Sequence, residues 1–221
     1  MSSVKHILFD NDGVLVDTEY TAAIKMTQAL IDLGINLDTE YYLKNHSGST
    51  FSGIMRHYFG ENINLDFMHK VVNKVEAQVA ENVKLVQGMD VLLRELKINK
   101  SVVSNSSLST VKHALKVNAI DHHFEGRVFS SEQVAHPKPA PDLYFFAIQS
   151  LRLNPEDILV IEDSMTGVQA AVSAGLNVIG FSGASHIRPG HNKRLEDIGV
   201  VDVASSTEGL GNILASYINL A

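Results

Sequence analysis

The sequence contains no cysteine, no basic run and no long apolar run, and each absence excludes a class of function. Without cysteine among the 221 residues, disulfide bridges, thiolate nucleophiles and cysteine-ligated zinc are excluded. The formal net charge of -7 offers no electrostatic support for a nucleic-acid or anionic-membrane surface. No apolar run approaches the roughly 20 residues that cross a bilayer. Because strand-like sequence begins by Val4, we expect no signal peptide. We expect a cytoplasmic monomer with no nucleic-acid or membrane partner.

Six short apolar runs predict the strands of one parallel sheet. They lie at residues 4–9, 101–104, 127–129, 158–161, 177–181 and 200–204. Helical patterns at 109–117, 142–151 and 166–174 separate the later runs. Strands that alternate with helices are typical of a parallel sheet covered on both faces. The sequence therefore predicts an α/β fold with a Rossmann-like core.

The interval between the first two predicted strands is longer than a crossover requires, and its signals are almost all helical. Apolar periodicity predicts helices at 20–33 and 51–59, and a third helix behind the candidate N-cap Asp66. We therefore predict an inserted all-helical cap domain whose two connections flank the first strand end, an arrangement that suits a lid. The predicted boundaries are 18–84 for the cap, and 1–17 with 85–221 for the core.

Polar side chains follow several of the predicted strands. Asp10 and Asp12 follow the first strand, Ser104 follows the second, and Glu162 and Asp163 follow the fourth. A lysine, Lys138, lies in the proline-rich segment 136–142, which stiffens the backbone around it. Taken singly, these residues could form turns, cap helices or carry solvated charge. Those readings do not account for the whole set, which a parallel sheet brings to one edge.

The order of these residues resembles the motifs of the haloacid dehalogenase superfamily. Four segments carry the resemblance: 9–19 (FDNDGVLVDTE), 104–106 (SNS), 138–139 (KP) and 162–167 (EDSMTG). A helical cap between the first and second motif is similar to the β-phosphoglucomutase-like and sugar-phosphatase subgroup. The resemblance implies a Mg²⁺-dependent phosphatase of a small phosphorylated metabolite. A sugar phosphate or sugar-acid phosphate is expected, with 6-phosphogluconate a reasonable member of that set.

The resemblance also implies which residues perform the reaction. Asp10 would attack phosphorus and form an aspartyl-phosphate. Asp12 would protonate the leaving alcohol and then deprotonate the attacking water. Lys138 would offset the negative charge of Asp10 and of the phosphate. The residues expected to bind the phosphoryl group are Asn11, Ser104, Asn105 and Lys138.

A magnesium site is implied at the same edge of the sheet. The ion would be held by Asp10, by the backbone carbonyl of Asp12 and by Asp163. Glu162 would either join this set or act through water. Hard oxygen ligands of this kind suit Mg²⁺.

Two alternatives to a phosphatase stay open from the sequence. Mutases of the subgroup carry a histidine at the start of the first cap helix and an arginine in the cap loop. By rough alignment the first position holds Ala22 and the second falls near Phe51, which favours hydrolysis over a phosphomutase. A non-catalytic phosphate-binding module is the second alternative. Dehalogenases of the superfamily lack the second aspartate of the first motif, so Asp12 argues against dehalogenation.

Two loops are notable for function. The polar cap segment 45–50 is expected either to face the site and hydrogen-bond the substrate or simply to join two helices. The segment 183–191 contains His186 and His191, but no third ligand accompanies them at a usable spacing. We therefore expect this second segment to be a solvated loop.

Overall fold

The centre of the fold is a sheet of six parallel strands. The structure is a computed structural model and describes residues 4–46, 49 and 51–218. The strands are β1 His6–Phe9, β2 Asn99–Ser104, β3 Val128–Ser130, β4 Ile158–Glu162, β5 Asn177–Phe181 and β6 Asp202–Ala204. Their order across the sheet is β3-β2-β1-β4-β5-β6, and every neighbouring pair is parallel. All six predicted strands are confirmed.

Ten α-helices accompany the sheet within the described part of the chain. They are α1 Thr18–Asp32, α2 Thr39–His46, α3 Phe51–Phe59, α4 Leu65–Asn82, α5 Met89–Glu95, α6 Leu108–Val117, α7 Asp142–Leu151, α8 Met165–Ser173, α9 His191–Ile198 and α10 Thr207–Ile218. The predicted helices correspond to α1, α3, α4, α6, α7 and α8. The predicted N-cap Asp66 is wrong. Asn64 caps α4 instead, because its side chain accepts a 2.9 Å hydrogen bond from the Phe67 N–H.

The strand residues alternate between two hydrophobic clusters, one on each face of the sheet. Ile7 and Phe9 pack on the face covered by α5, α6 and α10, whereas Leu8 packs on the opposite face with α7 and α8. Successive side chains of a strand point to opposite faces, so an apolar run with no polar alternation is buried on both sides. The predicted α/β core with a doubly covered sheet is confirmed.

The helices α1 to α4 lie between β1 and β2 in sequence and share a third hydrophobic cluster. Its buried members include Met26, Tyr42, Met55 and Val72. Asp17 caps α1, because its carboxylate accepts a hydrogen bond from the Tyr20 N–H. The domain boundaries given above stay predictions. In the cap segment 45–50, the residues Ser47, Gly48 and Thr50 lie outside the described residues.

Among the described helices, none has both the length and the apolar composition needed to span a bilayer.

His6 is a buried titratable group at the start of β1. Its Nε2 atom lies 2.8 Å from the Ser101 hydroxyl on β2. Burial, followed by the positive charges of Arg127 and Lys100, lowers the pKa of His6 to about 4. The folded chain therefore holds His6 neutral, while the unfolded chain protonates it below about pH 6.5. The stability that follows from this difference is fully present above that pH and is lost as the pH falls towards 4.

We expect wild-type protein to lose about 2 kcal/mol more stability than His6→Gln between pH 7.5 and pH 4.5, after allowance for solvent screening. Urea unfolding at the two pH values measures this difference. Carboxylates elsewhere titrate in both proteins, so the comparison isolates His6. The exposed His113 supplies the control, because His113→Gln should follow the wild-type profile. Identical pH dependence in wild type and His6→Gln would contradict the assignment.

Candidate active site

The carboxyl ends of β1, β2 and β4 meet at one edge of the sheet. Phe9, the last residue of β1, pairs in register with Val102 of β2 and Ile161 of β4. The polar residues that follow these strands are therefore neighbours in space. They border a cavity of about 510 Å³. The predicted site residues in its lining are Asp10, Asp12, Ser104, Asn105, Lys138 and Asp163.

Lys138 is the buried cation at the centre of the site. Its ammonium group donates to Asp10 Oδ1 at 2.7 Å, to Glu162 Oε1 at 2.5 Å and to the Val103 carbonyl at 2.8 Å. All three donors are thereby used, and the side chain is only 3% exposed. Lys138 therefore links Asp10, which follows β1, to Glu162, which ends β4.

Two residues hold this lysine in place: Asn105, which the sequence singled out for the phosphoryl group, and Tyr144, which it did not. Asn105 forms a reciprocal pair with the Lys138 backbone: its Nδ2 donates to the Lys138 carbonyl, and its Oδ1 accepts from the Lys138 N–H, both at 3.0 Å. The Tyr144 hydroxyl donates to Glu162 Oε1 at 3.0 Å, and the Lys138 ammonium lies 5.2 Å from the centre of the Tyr144 ring. Asn105 thus has a side-chain role in positioning Lys138 beyond the predicted binding of the phosphoryl group.

Burial and neighbouring charges together set the pKa values of Asp10, Lys138 and Tyr144. Burial raises the pKa of Asp10, the Glu162 charge raises it further, and Lys138 opposes both. Burial alone would lower the pKa of Lys138, but Asp10 and Glu162 outweigh it and the net pKa is raised. Burial and the Glu162 charge raise the pKa of Tyr144. Lys138 therefore stays charged, and Tyr144 stays a hydrogen-bond donor to Glu162.

Asp12 is held by the serines that follow β2. The Ser106 hydroxyl donates to Asp12 Oδ2 at 2.8 Å, and the Ser104 hydroxyl approaches the same atom at 3.4 Å. The Ser104 hydroxyl also accepts a 3.0 Å hydrogen bond from the Ser106 N–H. Ser106 belongs to the segment that the sequence singled out, but its contact with Asp12 was not predicted.

The loop after β5 lies against the site, so the prediction that segment 183–191 is a solvated loop is wrong. His186 Nε2 lies 3.3 Å from Asp163 Oδ2, and His191 Nε2 donates to the Asp163 carbonyl at 2.5 Å. Burial would lower the pKa of His186, but Asp163 raises it above the ordinary value. Burial raises the pKa of Asp163, the hydrogen bond from His186 lowers it, and the net pKa is raised. His186 contacts the Asp163 carboxylate and His191 its backbone carbonyl, so Asp163 is the partner that the spacing of the two histidines alone did not show.

Two glycines make room for the carboxylates. Gly13 has a φ of +86°, and a Cβ placed on it would lie 1.9 Å from Asp163 Oδ2. A Cβ on Gly167 would lie 1.9 Å from Glu162 Oε1. Both distances are far shorter than any van der Waals contact, and the Gly13 backbone is also strained for other residues. The two positions therefore require glycine for the carboxylates to stand where they do.

Asn11 lies between the two acids of the first motif. Its backbone carbonyl accepts hydrogen bonds from the N–H groups of Leu15 and Val16, which closes the turn. Its side-chain amide is buried, and neither amide atom has a hydrogen-bond partner among the described residues. Glu162 and Asn11 are the two predicted site residues that do not line the cavity, and both are buried.

The site also contains a buried acidic cluster that fits a cation. Asp10, Glu162 and Asp163 each offer a carboxylate oxygen, and these atoms lie within 4.8 Å of one another. Three buried carboxylates face one buried lysine, so negative charge is in excess, and a cation would relieve their repulsion. The Glu162 oxygens already accept hydrogen bonds from Lys138, Tyr144 and Ser164. Asp10 and Asp163 therefore retain more capacity for a metal than Glu162 does.

Comparison with protein families gives one match. The model of the haloacid dehalogenase-like hydrolases matches residues 7–181, which include every predicted site residue. Among curated proteins, the chain is 29% identical over 201 residues to the 6-phosphogluconate phosphatase of Escherichia coli K12, covering 86% of this chain and 87% of that protein. It is 27% identical over 203 residues to hexitol phosphatase A of the same organism, covering 89% of each.

Solved structures show the same architecture. A haloacid dehalogenase family hydrolase from Deinococcus radiodurans R1, crystallised with phosphate and sodium, superimposes with a TM-score of 0.85 at 28% sequence identity. The match covers 98% of this chain and 97% of that one. The similarity therefore extends over both the sheet and the helices α1 to α4.

Proposed function

The chain belongs to the haloacid dehalogenase-like hydrolases and is a phosphoric monoester hydrolase of phosphorylated metabolites. We propose that it is a Mg²⁺-dependent phosphatase of sugar phosphates or sugar-acid phosphates and that it works through a phosphorylated Asp10. One observation carries the proposal: Asp10, Asp12, Ser104, Lys138 and Asp163 border one cavity at the carboxyl ends of neighbouring strands. Phosphoryl transfer needs a nucleophile, a proton donor and charge compensation, and this set supplies all three.

In the first half of the reaction, an Asp10 carboxylate oxygen attacks phosphorus. The bond between phosphorus and the substrate oxygen breaks, and Asp12 donates a proton to the leaving alcohol. Ser106 and Ser104 contact the Asp12 carboxyl group and hold it at the edge of the cavity. Lys138 balances the charge of Asp10 as the phosphoryl group arrives.

In the second half, water attacks the phosphoryl group on Asp10. Asp12 takes the proton of this water, the bond between phosphorus and the Asp10 oxygen breaks, and inorganic phosphate leaves. The Ser104 hydroxyl and the Asn105 backbone N–H donate to the phosphoryl oxygens in both halves. This assignment of donors stays a proposal, as do the roles of Asp10 and Asp12.

Asp10 and Asp163 would hold Mg²⁺, together with the backbone carbonyl of Asp12. The chemistry that this ion supplies when bound is neutralisation of charge on the phosphoryl oxygens. Glu162 acts on the site through Lys138, because its oxygens are occupied by hydrogen bonds. His186 and His191 hold Asp163 through its carboxylate and its backbone carbonyl.

Metal removal tests the proposal directly. We expect phosphate release from p-nitrophenyl phosphate and from a panel of sugar and sugar-acid phosphates when Mg²⁺ is present, and background release after treatment with EDTA. Added Mg²⁺ should restore the rate. Equal rates with and without EDTA would contradict the metal requirement. A protein that releases no phosphate from the panel, but whose melting temperature the ligands still raise, would be a phosphate-binding module instead.

A further inference from the structure

The cavity contains a second cation that the proposed mechanism does not use. Arg188 lies in the loop between β5 and α9 and borders the same cavity as Asp10 and Lys138. Its Nη2 atom is buried and has no hydrogen-bond partner among the described residues. A buried guanidinium nitrogen without an acceptor carries a large desolvation cost. Such a group is best explained by an acceptor that arrives with the ligand.

The loop that carries Arg188 is fixed at both ends, so the Arg188 backbone is held beside the cavity. Upstream, the Ser185 N–H and hydroxyl both donate to Asp17 Oδ2, at 3.0 and 2.6 Å. Downstream, His191 bonds the Asp163 carbonyl, and its own N–H donates to the Arg188 carbonyl at 3.1 Å. Pro189 restricts the Arg188 backbone further. This anchoring reduces the ordering cost of binding a ligand.

The position of Arg188 separates it from the phosphoryl-binding groups. Ser104 follows β2 and Asp10 follows β1, whereas Arg188 comes after β5, on the far side of β4 from both. Arg188 therefore reaches the cavity from a different strand end than the groups that would contact the phosphoryl group, and it is suited to another part of the substrate.

The charges around the cavity leave Arg188 available for this task. Lys138 already contacts Asp10 and Glu162. Glu19 also borders the cavity, but in the part of the chain that the structure describes no ion pair joins it to Arg188. A planar guanidinium matches a carboxylate through two parallel hydrogen bonds, which a hydroxyl group cannot supply.

We infer that Arg188 forms a subsite for a second anionic group, a carboxylate at the end of the substrate remote from the phosphate. The inference rests on the proposed function and narrows its substrate class to sugar-acid phosphates. The chain should therefore prefer a phosphorylated sugar acid to the matching phosphorylated polyol.

Two open-chain substrates test this inference, because they differ only at the remote end. 6-Phosphogluconate carries a carboxylate where sorbitol 6-phosphate carries a hydroxymethyl group. We expect Arg188→Gln to lower kcat/KM for 6-phosphogluconate on the order of 10- to 100-fold, because its carboxylate loses a charged partner. The values for sorbitol 6-phosphate and p-nitrophenyl phosphate should change less than about twofold. Arg188→Lys should recover part of the loss, because lysine restores the positive charge but not the two parallel hydrogen bonds of a guanidinium.

The exposed Arg94 on α5 supplies the matched control. Arg94→Gln removes the same charge from the chain, away from the cavity lining, and should leave all three substrates unchanged. Melting temperatures of the variants show whether each one folds. An equal loss for all three substrates in Arg188→Gln would overturn the inference, because Arg188 would then serve the common phosphate. No loss for any substrate would also overturn it.

A binding measurement keeps the inference independent of turnover. In an Asp10→Asn background, calorimetric titration should show tighter binding of 6-phosphogluconate than of sorbitol 6-phosphate, by about tenfold. Adding Arg188→Gln should abolish this preference. If wild-type protein released no phosphate from either ligand, the proposed function would fail while this titration still decided the subsite. Equal binding of the two ligands with Arg188 intact would overturn the subsite itself.

Discussion

Replacing Asp10 with asparagine is expected to lower kcat for phosphate release by a factor of about 10⁴ or more, because the reaction loses its nucleophile. A carboxamide oxygen carries no formal charge and attacks phosphorus poorly. A loss of this size corresponds to about 5.5 kcal/mol in the activation barrier. Steady-state release from p-nitrophenyl phosphate with Mg²⁺ measures the effect. The amide is close in shape to the carboxylate, so the fold should be retained, which the melting temperature checks.

The control for charge alone is Asp90→Asn. Asp90 lies exposed on α5, and its side chain is remote from the cavity lining. This variant removes one carboxylate from the chain and should keep the wild-type rate. If Asp10→Asn retained more than a few per cent of the wild-type rate, Asp10 would not be the nucleophile.

The covalent step predicts a difference between the two aspartates that mass spectrometry can detect. Asp12→Asn slows the attack of water on the intermediate, so the chain should gain the mass of one phosphoryl group after mixing with p-nitrophenyl phosphate, whose leaving group departs without a proton from Asp12. The Asp10→Asn, Asp12→Asn double variant should gain none, because it lacks the oxygen that forms the bond. A phosphoryl group on the double variant would place the nucleophile elsewhere.

The parts of the site that could be predicted from the sequence are those that follow strand ends. Asp10, Ser104 and Glu162 each follow or end a strong apolar run, and a parallel sheet brings such ends together. Their proximity therefore depends only on identifying the strands. Lys138 was singled out by its proline-rich segment, but its role came from the family resemblance, because it lies on a loop between β3 and α7 whose path no periodicity determines.

The contacts that the sequence did not reveal are those between side chains from separate elements. Tyr144 appears in the sequence as an apolar residue of an amphipathic helix, and only the packing of α7 brings its hydroxyl to Glu162. His186 and His191 were judged by their spacing to each other, whereas the partner of both is Asp163. A local sequence pattern shows which face of a helix or strand is buried, but it does not show which polar atom of another element contacts that face.

Helix ends show the same limit on a smaller scale. Asn64 and Asp66 are both acceptable N-cap residues, and the two are separated by two positions. Which one caps α4 depends on the backbone conformation before the helix, and this is set by the connection to α3. The helices α2, α5, α9 and α10 were not predicted. For α2, α5 and α9, about two turns offer too few apolar residues for a periodic pattern.

Replacing Lys138 with methionine is expected to reduce both activity and stability, because two buried carboxylates lose their common partner. Asp10 and Glu162 both bond the Lys138 ammonium in the protein interior. Breaking a buried ion pair from one side costs about 3–5 kcal/mol in stability. The rate should fall about 10³-fold, because charge compensation at the phosphoryl group is lost with it. Urea unfolding in EDTA and steady-state kinetics in Mg²⁺ measure the two effects separately.

The effect of Tyr144→Phe separates the role of the charge from that of the hydrogen-bond network. This variant removes one neutral donor to Glu162 and leaves all three Lys138 contacts in place. A loss of about 1 kcal/mol in stability is expected, with little change in rate. If Lys138→Met and Tyr144→Phe reduced stability equally, the lysine would act only as one more hydrogen-bond donor. A larger loss of stability for Lys138→Met means that the two acids depend on the lysine's charge. A buried ion without a counter-charge has a much larger desolvation cost than a buried group that has lost one neutral hydrogen bond.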